Sequence, residues 1–378
     1  MNGNFLKRIK KNGGLVMPRK KANDHPGIIE AVEMSRERDL TRSQWLEECF
    51  PEWGTFLNRQ IEEMKVKKGK VALWWFGGPS WALKSQEEIF LIDNYAGPSN
   101  FTRYEYCGPC QTTGAERLEW LRLNPQVMDP WKFKRIDASF STHHHGDHAD
   151  FYTVKALLKT TKALFVGPKL TCMLFRKWGV PENRIKEVKP GDRIKFKSTE
   201  VVVEKNFDYM ATKTTTGLSG VTGKLDYDDV AVTFIFKNSG GNIAFLGDTI
   251  YHNGYAAVGA RNKVDVAIVN MGHNAPGGTD KLTPFDAFRV AQALRAKVVI
   301  PDHYENWASS AIDPEQLVWI VQKNDPKMKT IILKWGAMFT YPDDQDMGTY
   351  RYPDWRERYQ PERSREYGKT AGNGGIRN

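Results

Sequence analysis

The sequence predicts a layered α/β domain, and three observations carry that expectation. Short apolar runs with strand-like patterning come in two batches along the chain. Segments with helical spacing of apolar residues relieve each batch, as stacked sheets and helices require. Several of the apolar runs end on histidine or aspartate, the usual place for chemistry in such folds.

Taken in order, residues 1–40 are polar and basic, broken by Gly13-Gly14 and Pro18, and read as a loosely ordered extension. From 42 to 66 apolar residues recur at helical spacing, with a break at Pro51. Val71 to Phe76, Trp81 to Leu83 and Ile89 to Asp93 read as the strands of a meander. Residues 94–130 are rich in Gly, Pro and Asn and long for a connection, so a loop over the site is expected. A helix over 150–160, a buried strand at Ala163 to Pro168 and a short helix at 169–178 follow. Two strand patterns lie between 192 and 204, and a hairpin joins Val230–Phe236 to Asn242–Leu246. Strands at Val264–Val269 and Lys297–Ile300 flank a helix that Thr283-Pro284 opens. A last helix is expected over 314–323. Residues 41–355 thus read as one catalytic domain and 356–378 as a polar, basic tail.

At 378 residues the chain can bury a sizeable core, and four cysteines do not make a disulfide scaffold, which fits a reducing cytoplasm. No apolar run approaches the roughly 20 residues a bilayer span needs, so no membrane role is expected. The net charge of +10 resembles a nucleic-acid footprint until it is located. Residues 1–21 carry +7 and residues 356–378 carry +3, which leaves 22–355 neutral. A neutral body argues against long nucleic acids, yet a small anionic substrate needs only a few local cations.

The chemistry concentrates in Ile136-Asp-Ala-Ser-Phe-Ser-Thr-His-His-His-Gly-Asp-His148, where an apolar run stops and four of the eight histidines follow. Residues two apart in an extended loop point the same way, so His143 and His145 can grip one cation while Asp147 and His148 face a second. Imidazole and carboxylate suit zinc, manganese or iron. Asp248 follows the run ending at Leu246-Gly247, and Asp302-His303 follows Val299-Ile300-Pro301. Asp248 has two oxygens and could bridge two ions, and His303 could complete the second shell. Either alone would be an ordinary turn or packing residue. Tyr251, His252 and His273 lie just past strands of this kind and are candidates to protonate a leaving oxygen. Lys281, Lys84 and Arg103 are candidate cations for an anionic substrate, and Cys107-Gly-Pro-Cys110 has redox or zinc spacing without a second pair nearby.

Thr142-His-His-His-Gly-Asp-His148, with Gly247-Asp248 and Asp302-His303 downstream, resembles the T-H-x-H-x-D-H signature of the metallo-β-lactamase superfamily. Over roughly 41–355, Phe50-Pro-Glu-Trp-Gly54, Trp178-Gly-Val-Pro181, Val188-Lys-Pro-Gly-Asp192 and Thr279-Asp-Lys281 are similar to the bacterial L-ascorbate-6-phosphate lactonase family. The resemblance implies a four-layer αββα sandwich and two divalent metal ions, manganese or zinc. It implies His143 and His145 on one ion, Asp147, His148 and His303 on the other, and Asp248 between them. One departure stands out. The superfamily's third histidine for the first ion has no counterpart, because residues 149–247 hold no histidine. Asp208, in a Phe-Asp setting the lactonase group shares, is the substitute, and an oxygen there favours manganese.

The expected reaction is attack of a metal-bound hydroxide on the carbonyl of a phosphorylated sugar-acid lactone, with Asp147 orienting the nucleophile. A phosphodiesterase on a small cyclic nucleotide or RNA is the rival among enzymes. A non-catalytic metal-binding or regulatory protein is the rival of another class. A homo-oligomer is compatible with either.

Overall fold

The structure, a computed structural model, describes residues 56–96, 124, 127–213, 226–274, 279–307 and 310–350. The 1–40 extension and the 356–378 tail lie outside these, as do most of the 42–66 stretch and of the 94–130 loop, with Arg103, Cys107 and Cys110.

The first half of the fold runs α1 (Phe56–Glu63), β1 (Val71–Gly77), β2 (Ser80–Lys84), β3 (Ile89–Ile92), β4 (Ala138–Phe140), α2 (Phe151–Thr160), β5 (Leu164–Gly167), α3 (Lys169–Lys177) and β6 (Ile185–Glu187). The second runs β7 (Arg193–Lys195), β8 (Thr199–Lys205), α4 (Tyr209–Lys213), β9 (Val232–Asn238), β10 (Gly241–Phe245), α5 (Gly254–Asn262), β11 (Val266–Asn270), α6 (Pro284–Ala293), β12 (Val298–Asp302), α7 (Glu315–Asn324) and β13 (Lys329–Thr330). The final strand, β14 (Met338–Tyr341), returns to the first sheet. That sheet has the order β14-β1-β2-β3-β4-β5-β6, and the other β13-β12-β11-β10-β9-β8-β7.

Alternation along β1 shows why four layers form. Val71, Leu73 and Trp75 pack with strands of the second sheet, whereas Ala72, Trp74 and Phe76 pack with Leu57 and Ile61 of α1. A strand with side chains buried on both faces is apolar throughout, which accounts for the run Val-Ala-Leu-Trp-Trp-Phe. On the far side, Tyr255 and Val258 of α5, Val290 and Ala291 of α6 and Leu317 of α7 cover the second sheet. The expected αββα sandwich is the fold observed. Between the sheets Phe140 meets Phe90, Phe234 and Phe236 at centroid distances of 5.5, 5.1 and 4.9 Å, with rings near perpendicular.

Both sheets are antiparallel at one side and parallel at the other: β3-β4-β5-β6 and β10-β11-β12-β13 run parallel. Parallel strands bring their carboxyl ends to one edge, where ligands of open α/β sheets gather.

At the opposite edge, Glu88 ties the sheets together. It is 2% exposed and accepts from the Ser198 backbone and from the hydroxyls of Ser85, Ser198 and Thr199. Burial alone would raise its pKa, but the hydrogen bonds from Ser198, Ser85 and Thr199 hold it below the ordinary 4.5. The folded state therefore binds fewer protons than the unfolded one near that pH. Its stabilisation is complete above 4.5 and is lost as pH falls through the lower, folded value. Glu88→Gln is expected to cost about 1–3 kcal/mol at pH 7. Urea melts of both proteins should show that gap closing as pH falls below about 4.

Candidate metal centre and active site

Five strand ends build the site. The loop leaving β4 carries His143 to His148. It is closed at its far end by Asp150, which caps α2 by accepting from the backbone N–H groups of Tyr152 and Thr153. Asp208 follows β8, where its Oδ1 accepts from the Ala211 N–H at 2.9 Å and its Oδ2 is left turned inward, buried and without a hydrogen-bond partner. Asp248 follows β10 through Gly247, whose φ is +66°. A Cβ on Gly247 would sit 2.3 Å from the Thr142 hydroxyl, so glycine is needed both for the turn and for the approach of the two loops. His303 follows β12 with φ +63°, a left-handed conformation that is costly for histidine and held by its N–H donating to the Gly78 carbonyl.

These donors meet in two groups, all buried. His143, His145, Asp208 and Asp248 each offer an atom within 4.8 Å of the others, and so do Asp147, His148 and His303. Asp248 lies between the groups. Its Oδ2 is 3.9 Å from His143 Nε2, while its Oδ1 is 3.4 Å from both His148 Nε2 and His303 Nε2. His303 Nε2 is also 3.2 Å from Asp147 Oδ2.

Divalent cations fit this arrangement. His148 Nε2, His303 Nε2, Asp248 Oδ1 and Asp208 Oδ2 are buried polar atoms without a hydrogen-bond partner, and their residues all belong to the two donor groups. Such atoms are costly unless something else binds them. Asp93, Asp147, Asp208 and Asp248 also bring four buried carboxylates together against one buried ammonium, Lys281. Burial raises the Asp208 pKa, as do the charges of Asp248 and Asp280. For Asp147 burial acts upward too, but His148 and His303 outweigh it and hold the carboxyl well below its ordinary value. Burial and the neighbouring His148 and His145 keep His143 well below the ordinary imidazole range, hence neutral and able to donate a lone pair.

An outer ring of hydrogen bonds fixes the donors. Asp93, at the end of β3, places Oδ2 3.0 Å from His148 Nδ1 and accepts from Thr142 through both N–H and Oγ1, each at 2.7 Å. The bond from His148 Nδ1 leaves Nε2 as the atom turned towards the centre. Asn306 donates to Asp147 Oδ2 at 2.9 Å. Asp93 went unread in the sequence although Ile92-Asp93 repeats the pattern of an apolar run ending on a carboxylate. For Asn306 the sequence carries no such signal.

The remaining candidates divide. Lys84 is corrected outright: it lies at the other end of β2, where its ammonium donates to the Ile61 and Glu62 carbonyls that end α1. It caps a helix at the end of the strand away from the metal edge, which takes it out of the substrate site. Lys281 is in the site but is engaged by Asp248 and, at 3.3 Å, by Asp280. It is a partner of the cluster, not an open phosphate-binding cation. His252 is exposed, stacks on Phe207 next to Asp208 at 4.0 Å, and accepts at Nδ1 from the Gly254 N–H. Tyr251 lies under the Arg289 guanidinium, 3.6 Å from the ring centroid, and its hydroxyl donates to Asn253. His273 is exposed, with its backbone N–H donating to Ser310.

Fold and site together define a metal-dependent hydrolase, and the chain belongs to the metallo-β-lactamase superfamily: a family model described as "Beta-lactamase superfamily domain" matches residues 109–304. More particularly, it is 36% identical over 338 residues to the "Probable L-ascorbate-6-phosphate lactonase UlaG" of Shigella flexneri, covering 85% of this chain and 95% of that protein. The protein so described in Escherichia coli O139:H28 matches equally. Among solved structures, the isothiocyanate hydrolase from Delia radicum gut bacteria aligns with TM-score 0.54 at 18% identity, over 71% of this chain and 98% of that one. Igni18, a metallo hydrolase from Ignicoccus hospitalis, aligns at 0.51 and 17%, over 72% and 98%. At such identities these two speak for the fold alone. No helix among the described residues is long and apolar enough to cross a membrane.

Proposed function

We propose that this chain is a cytoplasmic lactonase that opens a phosphorylated sugar-acid lactone of the L-ascorbate 6-phosphate type with two divalent cations, manganese or zinc. The 36% identity to the named lactonase over 95% of its length is the observation that carries the substrate class. His143, His145 and Asp208 would hold one cation, Asp147, His148 and His303 the other, and Asp248 both. Bound there, such cations polarise a carbonyl and acidify water.

The chain's own groups would do the rest. Asp147, steadied by Asn306, orients the attacking water by accepting a hydrogen bond from it. His252 is the best placed of the three proton donors, since its stacking on Phe207 keeps it beside the Asp208 loop. With Nδ1 accepting from Gly254, its N–H sits on Nε2 and can donate a hydrogen bond to the ring oxygen as the lactone opens. Lys84 and Lys281 are engaged in the interior, so Arg289, which stacks on Tyr251, lies 3.5 Å from Asp286 and is partly open to solvent, is the cation we assign to the phosphate.

The test is hydrolysis of L-ascorbate 6-phosphate by manganese- or zinc-loaded protein, beside a bis-aryl phosphate. Turnover of the lactone alone supports the reading, and turnover of the phosphodiester alone replaces it with the rival hydrolase. In the same assays Asp93→Ala is expected to weaken cation affinity by about 10–100-fold, the usual cost of losing a partner that orients a ligand imidazole. Equilibrium dialysis against the metal measures it.

A further inference from the structure

The two cation positions are not equivalent: His143 Nε2 already meets His145 Nδ1 at 2.9 Å, and one charged side chain sets the positions further apart. On the side of His148 and His303, both Nε2 atoms and Asp248 Oδ1 are buried and without hydrogen-bond partners. On the side of His143, Asp248 Oδ2 is already taken: the Lys281 ammonium donates to it. Lys281 is 7% exposed, so its charge stands inside the cluster and not at its rim. A second carboxylate, Asp280, lies 3.3 Å from the same ammonium and is itself partly open to solvent. Lys281 can therefore give up Asp248 without becoming an unpaired buried charge.

We infer that Lys281 competes with the cation at the position made by His143, His145, Asp208 and Asp248. The chain then holds one divalent ion firmly between Asp147, His148, His303 and Asp248, and takes the second only by moving the ammonium over to Asp280. A dication and an ammonium on one carboxylate oxygen repel each other strongly where water does not screen them. Filling the second position carries that repulsion or the cost of relocating the lysine, and filling the first carries neither. This rests on the two-cation reading of the site but is independent of which lactone, if any, is opened.

Calorimetric titration of metal-free protein with manganese, without substrate, tests it. The wild type should bind two ions stepwise, the first at least tenfold more tightly than the second. Lys281→Met should tighten the second step at least tenfold and change the first by less than threefold, and Lys281→Arg should keep the gap. Two equal steps in the wild type, or a second step that Lys281→Met leaves unchanged or weakens, would overturn the inference. If Lys281→Met does not fold by circular dichroism, Asp208→Asn decides: loss of the weaker step alone supports the inference, and loss of the tighter step overturns it. Binding of no ion by the wild type would remove the two-cation reading as well.

Discussion

Asp248→Asn is expected to lower lactone opening by at least about 10³-fold and to reduce the bound metal. Cation polarisation of the reacting carbonyl contributes several kcal/mol, and each 1.36 kcal/mol is about tenfold in rate. The two oxygens of Asp248 face the two donor groups separately, so its loss damages both positions. Asparagine keeps the volume but removes the charge. The Lys281 ammonium is then left inside the cluster with Asp280 as its one acidic neighbour within 4 Å among the described residues. Initial rates and elemental analysis on the same samples measure both effects, with circular dichroism to confirm the fold. A variant with full metal content and near wild-type rates would contradict the bridging role.

Phe140→Ala should have the largest effect on stability. The ring is fully buried where the two sheets face each other, against Phe90, Phe234 and Phe236. Phe-to-Ala changes in such cores cost about 3–5 kcal/mol, because the cavity left behind collapses only in part. At about 2–4 °C per kcal/mol for a large domain, the melting temperature should fall by roughly 10 °C. A second consequence follows from position. Phe140 ends β4 three residues before His143, so the variant should also lose some cation affinity. Thermal melts with and without manganese separate the two. A fall of under about 1 kcal/mol would mean that the sheets do not pack as described.

Much of this was legible in the sequence, for physical reasons that differ from element to element. The strands β1, β3, β5, β11 and β12 announce themselves because burial on both faces demands unbroken apolar runs. The β9–β10 hairpin shows through Asn238-Ser-Gly-Gly241, and α6 through Thr283-Pro284, which caps it as expected. Other elements left weaker traces. Helix α5, Gly-Tyr-Ala-Ala-Val-Gly-Ala-Arg-Asn, carries two glycines that argue against a helix. Gly259 is nevertheless needed, since a Cβ there would lie 2.3 Å from the Ala293 carbonyl oxygen of α6. The strands β6 and β13 are three and two residues long, too short for any periodicity. Strand β14 pairs with β1 across some 265 positions, an interaction no local pattern encodes.

The site divides in the same way. Its ligand candidates are histidines and aspartates at strand ends, so His143, His145, Asp147, His148, Asp248 and His303 could be picked out before their proximity was known, and Asp208 through the family's missing third histidine. Proximity itself, and the engagement of Lys84 with helix α1 and of Lys281 with Asp248, depend on side-chain direction, which spacing does not reveal.

The most direct test of the central claim is a crystal structure of the manganese-loaded protein with anomalous scattering collected to locate the metal. The account predicts two peaks flanking Asp248, one among His143, His145 and Asp208 and one among Asp147, His148 and His303. Peaks elsewhere on the molecule, with neither group holding an ion, would contradict it.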